Sequence, residues 1–166
     1  MNEQQVSRTR TISWQDPAIA LEKSKAMSGL EYLKAMQSGE VAPPPITILM
    51  GFGVSEVSEG RVVFTAEAAE YQYNPLGTVH GGVTATLLDS AMGCAVHSTL
   101  SVGAGYTALE IKVNYIRSMT SKTGIVYCEG KVIYVGGRTA TAEARITDEQ
   151  GKLYAHSTTT CILFRP

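Results

Sequence analysis

What the middle of this chain lacks is charge. The 39 residues between Glu70 and Glu110 contain one charged side chain, Asp89. An exposed helix carries several Lys, Glu or Arg residues on its wet face, so a helix in this stretch must be wrapped by other structure. Cysteine is scarce too: Cys94, Cys128 and Cys161 are odd in number and widely spaced. That excludes a disulfide framework and points to a reducing, cytoplasmic setting. With a net charge of −1 and a pI near 6.3, no electrostatic argument favours nucleic acid or an anionic membrane as partner. No apolar run approaches the ~20 residues of a spanning helix, and the opening MNEQQVSRTR has no signal-peptide core. Internal repeats and low-complexity tracts are absent. No Gly-x-Ser-x-Gly elbow suggests a serine hydrolase, and neither Cys-x-x-Cys nor His-Glu-x-x-His spacing suggests a metal site. Gly51-Phe52-Gly53 lacks the third glycine of a dinucleotide fingerprint.

What is present reads as α+β. Residues 1–45 form an N-terminal arm: a polar, loose start, a helix from Ser28 to about Gln37, and an extended joint at Pro43-Pro44-Pro45. Ser28 and Glu31 have capping-box spacing, and Gly39 stops the helix. Residues 46–166 form the main domain. A hairpin is predicted for 53–58 and 61–68, a long helix for 81–98, and strands for 107–117, 125–135, 138–147 and 152–164. In the first of these four, Thr107, Leu109, Ile111, Val113 and Tyr115 share one face. In the third, Ala140, Ala142, Ala144 and Ile146 do. Facing small residues predict one antiparallel sheet curled tightly around one helix.

On a helical wheel, Val83, Leu87, Leu88, Ala91, Met92, Cys94 and Ala95 form a broad apolar arc. Thr86, Asp89, Ser90, Gly93 and His97 form a narrow polar stripe. A carboxylate stranded there has a perturbed pKa, and such a group is more often kept for chemistry than for stability. The helix opens on His80-Gly81-Gly82. Its first N–H groups lack internal partners, and glycine lets a ligand approach them, as an oxyanion hole requires. Eight residues separate Gly81 from Asp89, about 12 Å at ~1.5 Å per residue. One chain cannot bring both groups to one carbonyl. A two-fold mate with an antiparallel helix could.

The string Asn74-Pro75-Leu76-Gly77-Thr78-Val79-His80-Gly81-Gly82, with Asp89 nine residues after the histidine, resembles acyl-CoA thioesterases of the hotdog fold. The likeness is nearest to the phenylacetate-degradation (PaaI-like) branch of the 4-hydroxybenzoyl-CoA thioesterase superfamily. It runs from about Ile46 to Phe164 and takes in Tyr115-Ile116-Arg117 and Gly136-Gly137-Arg138. The resemblance implies Asp89 as nucleophile or general base, Gly81 N–H on the thioester carbonyl, and Asn74 and His80 positioning water or substrate. Gly82 and Thr107, the latter by its inward parity, are possible accessories, and Gly136, Gly137 and Arg138 are candidate coenzyme A contacts. It also implies an acyl-CoA substrate, no separate cofactor, and a homodimer that pairs into a tetramer. Candidate pocket residues are Ile46, Leu49, Met50, Leu76 and Val79 for an aliphatic acyl group, and Tyr71, Tyr73 and Tyr106 for an aryl-acetyl one. Two rival readings are a hotdog enoyl-thioester hydratase or dehydratase and a non-catalytic acyl-CoA binding protein. Free thiol release separates both from a thioesterase.

Overall fold

The structure, a computed structural model, describes residues 7–166. Among these, four α-helices and six strands follow one another as α1 (Pro17–Ser24), α2 (Gly29–Ser38), α3 (Pro45–Met50), β1 (Phe52–Ser58), β2 (Arg61–Glu67), α4 (Gly81–His97), β3 (Gly105–Tyr115), β4 (Ile125–Val135), β5 (Thr139–Asp148) and β6 (Leu153–Phe164). The strands make one sheet in the order β1-β2-β4-β5-β6-β3, every neighbour antiparallel. This sheet curls around α4, giving the hotdog architecture.

Small residues let the wrap close. Ala140, Ala142, Ala144 and Ile146 are buried, as the alternation requires, against Leu87, Leu88, Ala91 and Met92 in one core. At Gly130 the approach is tighter still, because a Cβ there would collide with the Ala91 carbonyl of α4. Sheet and helix touch backbone to backbone at that point.

The N-terminal segment is part of the same body. α2 starts on the Ser28–Glu31 capping box and ends at Gly39, whose φ of 83° suits glycine. It buries Leu33 and Ala35, and Val41 behind it is fully enclosed. Gly29 lies so close to the His97 carbonyl that a side chain would not fit. The three prolines do more than form a joint: Pro44 is extended, and Pro45 begins α3, where a missing N–H costs nothing. α1 also lies in a stretch with no predicted element. The predicted loose start lies partly outside the described residues. From residue 7 onward, Arg8 pairs with Glu70, and Arg10 donates to the Ile48 and Leu49 carbonyls at 2.7 and 2.6 Å while stacking on Tyr71. Gln72 donates to the Met50 carbonyl at 2.7 Å. Between them they occupy the carbonyls that the last turn of α3 leaves unpaired.

In β3 the register departs from the alternation in a way that bears on the site. A bulge between Ala108 and Glu110 takes Leu109 out of the ladder. Ile111, Val113 and Tyr115 pair with the buried residues Thr159, Ser157 and Ala155. Before the bulge the parity inverts: Tyr106 and Ala108 pair with buried Leu163 and Cys161, and Thr107 pairs with Ile162 on the outer side. The expected inward parity of Thr107 is therefore corrected, with Tyr106 and Ala108 holding the inward positions. Leu109 is 60% exposed.

Candidate active site

α4 places both halves of the candidate site. At its start, His80 is the N-cap, its Nδ1 accepting the Gly82 N–H at 2.8 Å. Its backbone N–H donates to the Gln72 carbonyl. The Gly81 N–H has no hydrogen-bond partner among the described residues. Tyr115 donates its hydroxyl to the Gly81 carbonyl at 3.1 Å, and its ring is what a side chain at residue 81 would meet. Gly81 thus lies open in a cavity of about 270 Å³ with Thr78, Val79, Tyr115, Arg117 and Met119.

Asn74 is occupied in the loop before the helix. Its Oδ1 accepts from Leu76 N at 2.9 Å and from Thr78, and its Nδ2 donates to the Thr78 hydroxyl. The residue builds the turn that delivers His80 and Gly81. Its side chain and the His80 Nδ1 are both held by their own loop, and Gly82 contributes the N–H that fixes His80.

Asp89 opens onto a different cavity, of about 520 Å³, with Ser90, Cys94, His97, Tyr106, Thr107, Ala108, Phe64 and four residues of the N-terminal segment, Met36, Pro44, Ile46 and Thr47. The two hydroxyls on its stripe are consumed within the helix. Thr86 donates to the Gly82 carbonyl and Ser90 to the Thr86 carbonyl. The Asp89 carboxylate has no hydrogen-bond or ion-pair partner among the described residues, and desolvation raises its pKa above the ordinary aspartate value. Desolvation, with Asp89 nearby, pushes the Cys94 thiol up to about 12, so it stays neutral.

Thr107 borders the Asp89 cavity despite its outer-side register. Of the candidate pocket residues, Ile46 and Tyr106 line it, and Val79 lies on the Gly81 side. Leu49, Tyr71 and Leu76 are exposed. His97, at the far end of the polar stripe, is a cavity residue as well. Gly136, Gly137 and Arg138 form the β4–β5 turn, closed by Gly136 N–H on the Thr139 carbonyl; the Arg138 side chain has no hydrogen-bond or ion-pair partner among the described residues.

A curled sheet around a central helix, with a solitary acid on that helix and glycine amides at its start, defines a hotdog protein. Residues 76–155 match the family model described as the thioesterase superfamily. A 1,4-dihydroxy-2-naphthoyl-CoA hydrolase of Listeria monocytogenes is 30% identical over 104 residues, 63% of this chain and 83% of that one. Among solved structures, a phenylacetic acid degradation-related protein from Ralstonia eutropha JMP134 is 25% identical, with a TM-score of 0.71 over 79% of this chain and 98% of that one. A Streptococcus mutans protein bound to acetyl CoA is also 25% identical, with a TM-score of 0.63 over 69% and 89%. The chain belongs to the thioesterase superfamily and is an enzyme of the thioester-hydrolase class. Among the described residues no helix is long and apolar enough to cross a membrane.

Proposed function

We propose that the protein hydrolyses acyl-CoA thioesters at sites shared by two copies of the chain, Gly81 of one copy facing Asp89 of the other. The observation that carries this reading is edge strand β3. One end of it, Thr107 and Ala108, borders the Asp89 cavity, and the other, Tyr115, holds Gly81. β3 ends the sheet, so its outer N–H and C=O groups offer a template for a further strand. Antiparallel pairing of β3 with its mate about a two-fold axis near Ile111 sets residue 107 of one copy opposite residue 115 of the other. That brings each carboxylate to the opposite helix start.

In this site the thioester carbonyl accepts from the Gly81 N–H, at the positive end of the α4 dipole. Asp89 of the second copy removes a proton from a water, whose oxygen bonds to the carbonyl carbon. The oxyanion collapses, the C–S bond breaks, and the thiolate leaves and takes up the proton that Asp89 received. The raised Asp89 pKa suits a carboxylate that takes up a proton from water. Asn74 and His80 position the amide. Coenzyme A enters as part of the substrate with no separate cofactor, and Arg138 of the β4–β5 turn pairs with a phosphate of it.

Asp89→Asn removes most thiol release in this reading. So does Gly81→Pro, which deletes the N–H at a position where proline suits a helix start. Co-expression of the two inactive variants tests the sharing. Random pairing makes half the dimers mixed, each with one intact site, so about a quarter of wild-type activity returns. No recovery in a mixture shown to contain mixed dimers means that the site lies within one chain.

A further inference from the structure

An N–H serves a developing oxyanion only if it is aimed, and residue 81 cannot aim itself. The peptides on either side are tied down. Val79 N–H donates to the Met119 carbonyl at 2.9 Å, His80 N–H to the Gln72 carbonyl at 2.8 Å, and Gly82 N–H to the His80 ring. Gly81 lies between them with no side chain, and glycine restricts its own φ and ψ least of all residues. The group that meets it from outside the helix is Tyr115, whose hydroxyl donates to the Gly81 carbonyl at 3.1 Å. The same phenol fills the space where a side chain would stand, with Cζ, Cε1 and the hydroxyl oxygen 3.3–3.4 Å from the position of the missing Cβ.

Tyr115 is itself held firmly. Just beyond it the Ile116 and Arg117 N–H groups both donate to the Tyr154 carbonyl, at 2.8 and 3.0 Å, and the Arg117 guanidinium donates to the Leu153 carbonyl at 2.6 Å. Tyr154 is buried and donates its own hydroxyl to Asp148 at 3.0 Å. The end of β3 is thereby locked to the start of β6, and the phenol is carried on that joint. Burial does not account for the residue: Tyr115 is 57% exposed, so it adds little to the core. What it adds is a contact across 34 residues of sequence to the start of α4.

We propose that Tyr115 is a positioning residue for thioester hydrolysis. It fixes residue 81 so that the Gly81 N–H points at the place where the thioester oxygen takes on negative charge. A preorganised donor counts most when the oxygen is charged, because the charge-assisted bond is the stronger one. Tyr115 does not touch the reacting atoms and acts through Gly81. This rests on the reading above, in which the Gly81 N–H is the donor.

The experiment uses the full chain and Tyr115→Phe, which keeps the ring and deletes the hydroxyl. Two non-hydrolysable probes are titrated by calorimetry. Trifluoroacetonyl-CoA carries an electrophilic ketone whose hydrate mimics the tetrahedral intermediate, and S-propyl-CoA has the same length without a carbonyl. Wild type is expected to bind the ketone more tightly. Tyr115→Phe should lower that preference about fivefold or more, while Kd for S-propyl-CoA stays within about twofold. A merely structural tyrosine would weaken both probes alike. With hexanoyl-CoA and phenylacetyl-CoA as substrates, kcat should fall about fivefold or more and KM should stay within about twofold. An unchanged ketone preference, equal weakening of both probes, or a loss confined to KM overturns the proposal. Thiol release by wild type alongside an unchanged preference leaves hydrolysis standing. A preference lost in Tyr115→Phe, with no thiol release by wild type from either ester, leaves the brace standing and overturns hydrolysis.

Discussion

At the scale of single residues, Asp89 costs the fold stability, and in the proposed reading that cost is exchanged for reactivity. Its folded pKa is raised by desolvation. Below the ordinary aspartate pKa of ~3.9 the group is protonated in both folded and unfolded chains and has no effect. As pH rises, the unfolded chain ionises first, so stability falls until the folded pKa is passed, and the penalty persists above it. Asp89→Asn removes that penalty. Thermal denaturation should show the variant melting higher than wild type at pH 7.5, by roughly one to three degrees after solvent screening. The gain should vanish near pH 3. A variant that melts lower at neutral pH contradicts the desolvated-base picture. For activity the sign is the same: the acid limb of kcat/KM lies above the usual carboxylate range. Asp89 was legible because a lone charge in a long apolar stretch is a composition signal. Tyr115 was not legible as a brace for Gly81, since a tyrosine at the end of a strand is not unusual and 34 residues separate the two. The one clue was Gly81 itself, because a glycine opening a helix leaves room for a close approach of any kind.

At the scale of elements, local periodicity succeeded wherever packing did not interrupt it. β4 as far as Gly130 and the alanine face of β5 follow the alternation, and the Ser28–Glu31 box starts α2 as read. At the beginning of β3 the alternation misleads, because a bulge changes parity without leaving a mark in the pattern of residue types. α3 was hidden by three prolines, and α1 buries none of its residues, so neither shows the apolar stripe that flags a helix. The contact between β4 and α4 makes a prediction. Gly130→Ala must push the Ala91 backbone aside and should cost about 1–3 kcal/mol in urea denaturation, with an unchanged slope. Gly137→Ala, where a side chain meets nothing, should stay within ~0.5 kcal/mol. Equal midpoints for the two variants would mean that the helix yields to the sheet at no cost.

At the scale of the whole molecule, a net charge of −1 supplies no overall field to attract a polyanionic coenzyme. In the proposed reading attraction is local and rests on Arg138. Arg138→Ala is expected to raise KM for CoA esters about three- to tenfold with a smaller effect on kcat. KM for N-acetylcysteamine thioesters, which lack the phosphates, should not move. Equal losses on both substrates would remove Arg138 from coenzyme recognition. The wrap of one sheet around one helix was legible from small residues on both partners. The docking of α2 and α3 into the body was not, because Gly29 and Pro45 read as punctuation until their neighbours are known.

The strand that carries Thr107 at one end and Tyr115 at the other also sets the genetics of the enzyme. In the proposed arrangement a copy bearing Asp89→Asn still lends its sound amide to any mate, and a copy bearing Gly81→Pro still lends its acid. Output in a population mixed with wild type then tracks the fraction of undamaged alleles, one defective dose removing one share. Inactive copies of either kind would subtract only their own contribution, without poisoning the partners they assemble with.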